Sequence, residues 1–559
     1  MSIDNALLED ASSSHRIYIG DSIGCLRVAQ CDPPSALPKD YAGPSVKPLI
    51  LPNFKSHSDH AVQRIASGVL GSDTYVVALA RKNATIDVVH IVNQSLPSTS
   101  TAPAAVSELR ANILCTINET KMKAGIHRFI GLAVSKHGVY SVTSSGIFRY
   151  TPITVAGNAA ELGEAKVIDH LPSPLQHASF FPASDPTHFC YGGEDIPLSL
   201  WHIPTAVSEQ PADSVADMSV ESNKTEDLSG LNSKQRKRKR QLEAKSKARE
   251  LVWGEVWRAK NLPNDNLSLP RRANITATCI LNLEESTAED AEAGATDEET
   301  FIAVGTKDGL VRIFQPGAGS RKHVREIRVV PSGQGAVKTL CASSAAMDGQ
   351  KGGLLFVGDT GSKLYAVDWQ SGSVVYAYKG AGQIGATLDM AVLPQPAKRS
   401  EAEALVTVSS DSLVRLHTTV PAERAVPKAG MSAEKGEVVW AKMIAEATSQ
   451  SVHAVATAVV WDGVMLLKMG RRQVEGEDEV GEEEEDQVWA GMQEVNDKKV
   501  TNGKVGRDQE ESTGDDDDDD EEEEEDEEDE PTEVVQSKAF NGQARRSKTS
   551  PANAKKSRK

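Results

Sequence analysis

The segment FIAVGTKDGLVRIFQ, Phe301 to Gln315, constrains the fold more than any other stretch of this chain. Phe301 to Val304 is a short run of β-formers, Thr306-Lys307-Asp308-Gly309 supplies turn chemistry, and Leu310 to Phe314 returns as a second apolar strand. A lone hairpin leaves both of its faces in water and is marginally stable at best. The chain must therefore provide a large partner sheet or further copies of the same unit.

Copies are what it provides. RIYIGDSIGCLRVA begins at Arg16, YVVALARKNATIDVVHI at Tyr75, GVYSVTSSGIFRY at Gly138 and HFCYGGEDIPLSLWHI at His188. The segment at Phe301 follows, then LLFVGDTGSKLYAVDW from Leu354 and ALVTVSSDSLVRLHTT from Ala404, which makes seven units. In most of them an apolar run ends at a small residue (Gly20, Gly192, Gly305, Gly358, Ser409) before a short polar turn. Weaker apolar segments lie upstream of several hairpins: Ile126 to Leu132, Ala178 to Phe181, Ile275 to Leu283, Val337 to Ala342 and Thr387 to Leu393. Each is a candidate inner strand of a four-stranded sheet, and a spacing of roughly 40 to 50 residues per unit is that of a propeller blade. Stacked blades bury both faces, so strict polar alternation is not expected. The reading is all-β: a seven-bladed β-propeller over residues 15–467, with residues 1–14 as an N-terminal extension. If Arg16 starts a middle strand, the ring must be closed by a late strand, and Val452 to Leu467 is the candidate.

The hairpins resemble WD-repeat propellers in a degenerate form. The literal Trp-Asp pair occurs at Trp461-Asp462, outside the seven units, and Trp201-His202 stands where such a closing pair belongs.

Charge separates the remainder of the chain from the repeats. Of 80 acidic and 61 basic residues, 31 and 12 lie in residues 473–559, which leaves 49 of each sign before them. Residues 468–559 therefore read as a disordered acidic tail, since a run such as Asp515 to Glu530 repels itself and buries nothing. The tail ends in a basic patch: Arg545, Arg546, Lys548, Lys555, Lys556, Arg558 and Lys559. A second charged insertion, residues 205–250, interrupts the repeats between the fourth and fifth hairpins, and residues 284–299 form an acidic loop. The insertion carries Lys234, Arg236, Lys237, Arg238, Lys239 and Arg240. Such clusters suit nuclear import or contact with RNA phosphates; a solvated loop is the bland alternative.

After the insertion comes ELVWGEVWRAKNLPNDNLSLPRR, Glu250 to Arg272. Trp253 and Trp257 lie four apart beside Val252 and Val256, which places an apolar ridge on a helical face or anchors a short strand. Arg258, Lys260 and Asn261 add donors suited to an RNA backbone or a partner's loop. Trp253 and Trp257 read as partner-binding residues, with packing onto the propeller rim as the alternative. Asn264-Asp265-Asn266 reads as a turn.

The order GGEDIPLSLWHI, a charged insertion, then VWRAKNLPNDNLSL (Val256 to Leu269) resembles the Nop-seven-associated WD-repeat family. The similarity runs from about Arg16 to Val420, and its diagnostic part is Gly192 to Leu269. His202 replaces the family's usual Asp, and Pro270-Arg271-Arg272 stands where an apolar strand is expected. The resemblance implies a non-catalytic scaffold in nucleolar large-subunit precursor particles. It would support rRNA processing and assembly alongside other assembly factors, with rRNA contact and release by an AAA-type ATPase. A chromatin or histone-binding adaptor is the alternative that a long acidic tail also suits.

No phosphate-loop, nucleophile-elbow or His-Glu-x-x-His pattern is present, and no cofactor or metal is expected. His57 and His60 sit in a polar loop without an acidic or cysteine partner at ligand spacing. Six scattered cysteines with no Cys-x-x-Cys pair point to buried thiols in a reducing compartment rather than to disulfides or zinc. The basic clusters and the family resemblance imply the nucleus and nucleolus. No apolar run of about 18 residues suggests a membrane span.

Overall fold

The computed structural model describes residues 15–462 apart from 33–36, 38–40, 42, 95–107, 157–158, 209–250, 263, 265–266, 269–270, 282–299, 344–352, 379–384, 394–402, 422–424, 426–433 and 445–453. The N-terminal extension, both basic clusters, the acidic loop and the tail lie outside the described residues.

The described strands build a seven-bladed β-propeller, each blade an antiparallel sheet. β1 (His15–Asp21), β2 (Leu26–Cys31) and β3 (Lys47–Leu49) open the chain. The second blade is β4 (Val62–Leu70), β5 (Thr74–Arg81), β6 (Thr85–Gln94) and β7 (Glu108–Asn118). The third is β8 (Phe129–Ser135), β9 (Gly138–Thr143) and β10 (Phe148–Ala156), with β11 (Ala159–Leu162) and β12 (Lys166–Ile168) both pairing β10. The fourth is β13 (Leu175–Phe181), β14 (His188–Gly193), β15 (Ile196–His202) and β16 (Glu255–Arg258). The fifth is β17 (Ile275–Leu281), β18 (Phe301–Thr306), β19 (Leu310–Phe314) and β20 (Arg325–Arg328), and the sixth is β21 (Val337–Ala342), β22 (Leu354–Asp359), β23 (Leu364–Asp368) and β24 (Ser373–Ala377). The seventh is β25 (Thr387–Leu393), β26 (Ala404–Ser409), β27 (Leu413–Thr418) and β28 (Val438–Met443). Last, β29 (Ala456–Trp461) pairs β1 and completes the first blade as its inner strand.

All seven hairpins read from the sequence are the middle strands of blades. The closing strand lies within Val452 to Leu467 as expected, and the Trp461-Asp462 pair ends it. Two inner strands start away from where they were read: β13 begins at Leu175, three residues before Ala178, and β8 begins at Phe129, with Ile126 77% exposed in the preceding turn. The apolar side chain there had no sheet to face.

The small residues at the ends of the apolar runs have a steric cause. A Cβ at Gly20 would lie 2.5 Å from Val62, at Gly192 2.4 Å from Ile275, at Gly305 2.3 Å from Val337 and at Gly358 3.0 Å from Thr387. In each case the neighbour is the first residue of the next blade's inner strand. Blades are wedged closest here, and only a missing side chain admits the buried residue opposite. In the seventh blade the sizes are exchanged: Val408 stands at this register, Ala456 opens the next inner strand, and both are buried in one apolar cluster.

Every inner strand carries a β-bulge at its second residue: Gln63, Ile130, Gln176, Thr276, Lys338, Leu388 and Thr457. The first residue of each is buried against the blade interface, and the inserted one sharpens the strand's twist where the seven strands converge on the axis. Side chains near these bulges stitch blade to blade. Gln63 accepts from the Phe129 N–H at 2.8 Å, Arg128 donates to Gln176, Ser179 donates to the Thr278 carbonyl at 2.9 Å, and Thr276 donates to the Val337 carbonyl at 2.6 Å. Asp389 accepts from the Val459 N–H at 3.0 Å, and Ser67 donates to the Trp461 carbonyl at 2.9 Å. Buried guanidinium–carboxylate pairs recur, inside the blades as Arg27–Asp21, Arg81–Asp87 and Arg415–Asp411 and between the second and third blades as Arg149–Glu119. Each keeps a charge that cannot reach water partnered.

Candidate nucleic-acid interface

The edge of the fourth blade begins at Gly254, whose φ of +87° and whose closeness to Ala206 (2.5 Å from a would-be Cβ) leave no room for a side chain. This turn delivers β16 alongside β15. Glu255 points inward and organises the strand: its carboxylate accepts from Ser199 Oγ at 2.5 Å, from the Val252 N–H at 3.1 Å and from Arg258 through two N–H groups. The hydrogen bonds and charge of Glu255 raise the Arg258 pKa against the opposing effect of burial. Arg258 is therefore held in a fixed fork and is not a free donor.

Trp257 is 7% exposed, packs edge-on to Phe314 with ring centroids 5.7 Å apart, and donates its indole N–H to the Ser320 carbonyl at 3.2 Å. The structure corrects its proposed partner-binding role, because the next blade already covers its surface. The segment is a strand, not a helical ridge: alternation sends Trp257 into the core and leaves Val256 45% exposed. Trp253 is half-buried, and its indole N–H meets no acceptor among the described residues. Lys260 and Asn261 are exposed. Of Asn264-Asp265-Asn266, residues 265 and 266 lie outside the described set.

One main-chain and one side-chain hydrogen bond join this edge to the fifth blade. The Lys260 N–H donates to the Arg321 carbonyl at 2.8 Å, and Arg321 Nε donates to the Arg258 carbonyl at 2.7 Å. They bring Lys260 beside the stretch SRKHVREIR, Ser320 to Arg328, in which Lys322, Arg325 and Arg328 are exposed. Three local carboxylates are occupied, Glu255 by Arg258, Glu326 by Arg312 at 2.7 Å and Asp195 by Arg272 at 2.6 Å, while Asp308, whose carbonyl accepts from Arg328 at 3.1 Å, is exposed. The result is an outer rim with more cation than its acids neutralise. Sequence reading missed Arg321, Lys322, Arg325 and Arg328, although the density of basic residues in this short stretch was a visible signal.

Among the described residues, no group of three or more His, Cys, Asp or Glu side chains could hold a metal ion, and no helix is long and apolar enough to cross a membrane.

No protein-family model matches the chain, and no curated protein matches it. Solved structures do. The crystal structure of Sqt1 from Chaetomium thermophilum is 13% identical, with a TM-score of 0.39, covering 72% of this chain and 78% of that one. A second, of Chaetomium thermophilum Sqt1 bound to the N-terminus of the ribosomal protein L10, is 12% identical, with a TM-score of 0.38 and coverage of 72% and 84%. A third crystal structure of the same Sqt1 is 13% identical, with a TM-score of 0.40 and coverage of 72% and 78%.

Proposed function

We propose that this propeller is a non-catalytic scaffold in assembly of the large ribosomal subunit, carried in nucleolar precursor particles and seated on rRNA through its cationic rim. The observation that carries the reading is the rim itself: Lys260, Lys322, Arg325 and Arg328 stand exposed along one edge, Glu255 and Glu326 are paired within the fold, and exposed Asp308 offsets only part of this charge. Cations spread along an edge match the phosphates of a nucleic-acid backbone and recognise no particular base. The order of motifs from Gly192 to Leu269 supports the ribosomal context by its resemblance to the Nop-seven-associated family. On this reading Lys234 and Arg236 to Arg240, with Arg545, Arg546, Lys555, Lys556, Arg558 and Lys559, provide import signals or further phosphate contacts. Other assembly factors occupy the remaining blade surfaces, and an AAA-type ATPase removes the protein afterwards.

Crosslinking of tagged protein in cells tests this. The expected outcome is crosslinks between large-subunit precursor rRNA and the peptide containing residues 320–328. Crosslinks confined to histones and DNA would favour the chromatin adaptor and overturn the ribosomal reading.

A further inference from the structure

The axis of the ring carries a second, separate concentration of charge. Arg64 follows the bulge on β4, Arg128 immediately precedes β8, and Lys338 is itself the bulged residue of β21. All three stand at the end of the channel where the inner strands begin. Partial desolvation of the otherwise exposed Lys338 pushes its pKa down, and the charges of Arg128 and Arg64 push it further, although Lys338 belongs to the sixth blade and the arginines to the second and third. Groups on blades so far apart influence one another only by facing across the axis. Burial, Arg64 and Arg128 likewise hold His177, beside the bulge of β13, well below its ordinary pKa, so it is neutral.

The anionic side is short of charge. Asp389 is the carboxylate that offsets Arg64, and its oxygens already accept from the Val459 and Met390 N–H groups at 3.0 Å. Three cations against this one carboxylate leave an excess of two positive charges at the mouth. Arg64 and Lys338 donate to no acceptor among the described residues, and Lys338 and Arg128 are open to solvent. Neutral donors also point to this place: Gln63 and Gln176 use their carbonyl oxygens on the Phe129 N–H and on Arg128, which leaves their NH₂ groups unspent.

We propose that the mouth of the axial channel is an anion site that takes a phosphate group, with Arg64, Arg128 and Lys338 as its charged ligands and Gln63 and Gln176 as neutral donors. A phosphate accepts hydrogen bonds from several directions and carries close to two negative charges, which matches donors arrayed around an axis. A carboxylate accepts in one plane and carries half the charge. Two guanidinium forks suit phosphate oxygens, and partial desolvation strengthens each contact.

Calorimetric titration of the purified full-length chain with inorganic tripolyphosphate tests the site without any ribosomal particle, so its outcome is independent of the function proposed above. One tight saturable site is expected above the weak binding of the other basic segments, with Lys338→Met weakening it about tenfold, the loss of one charge-assisted contact. Arg64→Gln combined with Lys338→Met should abolish this tight site and leave only the weak, salt-sensitive binding of the other basic segments. Lys136→Met, at the opposite end of the inner strand β8, should leave it unchanged. Lys338 is exposed, so its variant folds, and a thermal melt of each protein confirms this. Parallel titrations with inositol hexakisphosphate and with a phosphoserine peptide identify the source of the phosphate by which binds tighter through the same residues. Absence of saturable binding to the folded protein, or equal weakening by Lys136→Met, overturns the proposal.

Discussion

Gly305 shows how a single residue sets the spacing of the ring. Its backbone does not need the left-handed region; what it needs is the absence of a Cβ, because Val337 of the next blade fills that space. Gly305→Ala should therefore destabilise the protein by about 1–3 kcal/mol, the usual cost of overpacking a core, measured as a lowered urea midpoint at unchanged slope. A neutral effect would mean that the blade interface yields. At the seam, Asp462 makes a pH-dependent prediction. Burial raises its pKa to about 6, while Arg16, 3.6 Å away, pulls it down. A carboxyl whose folded pKa lies above its ordinary 3.8 retains its proton longer in the folded state, so the contribution of Asp462 to stability is full below 3.8 and is lost as pH rises through about 6. Arg16→Gln removes the counter-charge, so its destabilisation should be larger at pH 8 than at pH 4 in parallel thermal melts. A larger effect in acid would contradict this assignment. The small residues were visible in the sequence, but their partners were not, because each contact joins residues of different blades.

At the scale of elements, the hairpins were legible because their strands are apolar on both faces and their turns carry Gly, Asp or Asn. The inner strands were harder to read. β13, LQHASFF, and β25, TLDMAVL, bury their first residue but turn polar side chains such as His177 and Asp389 to the channel mouth, which breaks the apolar run. The same dilution led to the misplaced start of β8, where exposed Ile126 resembled a core position. On β16, the pattern of tryptophans was visible, but which one faced the core depended on the fifth blade beside it. The rim gives a prediction at this level. Replacing Lys260, Lys322, Arg325 and Arg328 together with Gln should reduce the slope of log affinity against log salt for a single-stranded rRNA fragment by about 3, at roughly 0.7 per lost phosphate contact. Since these side chains are exposed, the melting curve should hardly change. An unaltered slope would place RNA contact elsewhere.

For the whole molecule, the closing strand decides whether the seven blades act as one body. β29 is supplied by the far end of the chain and bonds to β1, so the first and seventh blades are joined across more than four hundred residues of sequence. A chain ending at residue 467 keeps this strand, whereas one ending at residue 453 lacks it. The first should unfold in a single cooperative transition, and the second should lose cooperativity and expose apolar surface that binds a hydrophobic dye. The proposed place of this closed ring on a large-subunit precursor can be measured by sedimenting a nuclear extract through a sucrose gradient and following the protein and the precursor rRNAs together. Co-migration with large-subunit precursors, reduced by the rim variant, is the result predicted here; a protein found only in free fractions or with chromatin would contradict it.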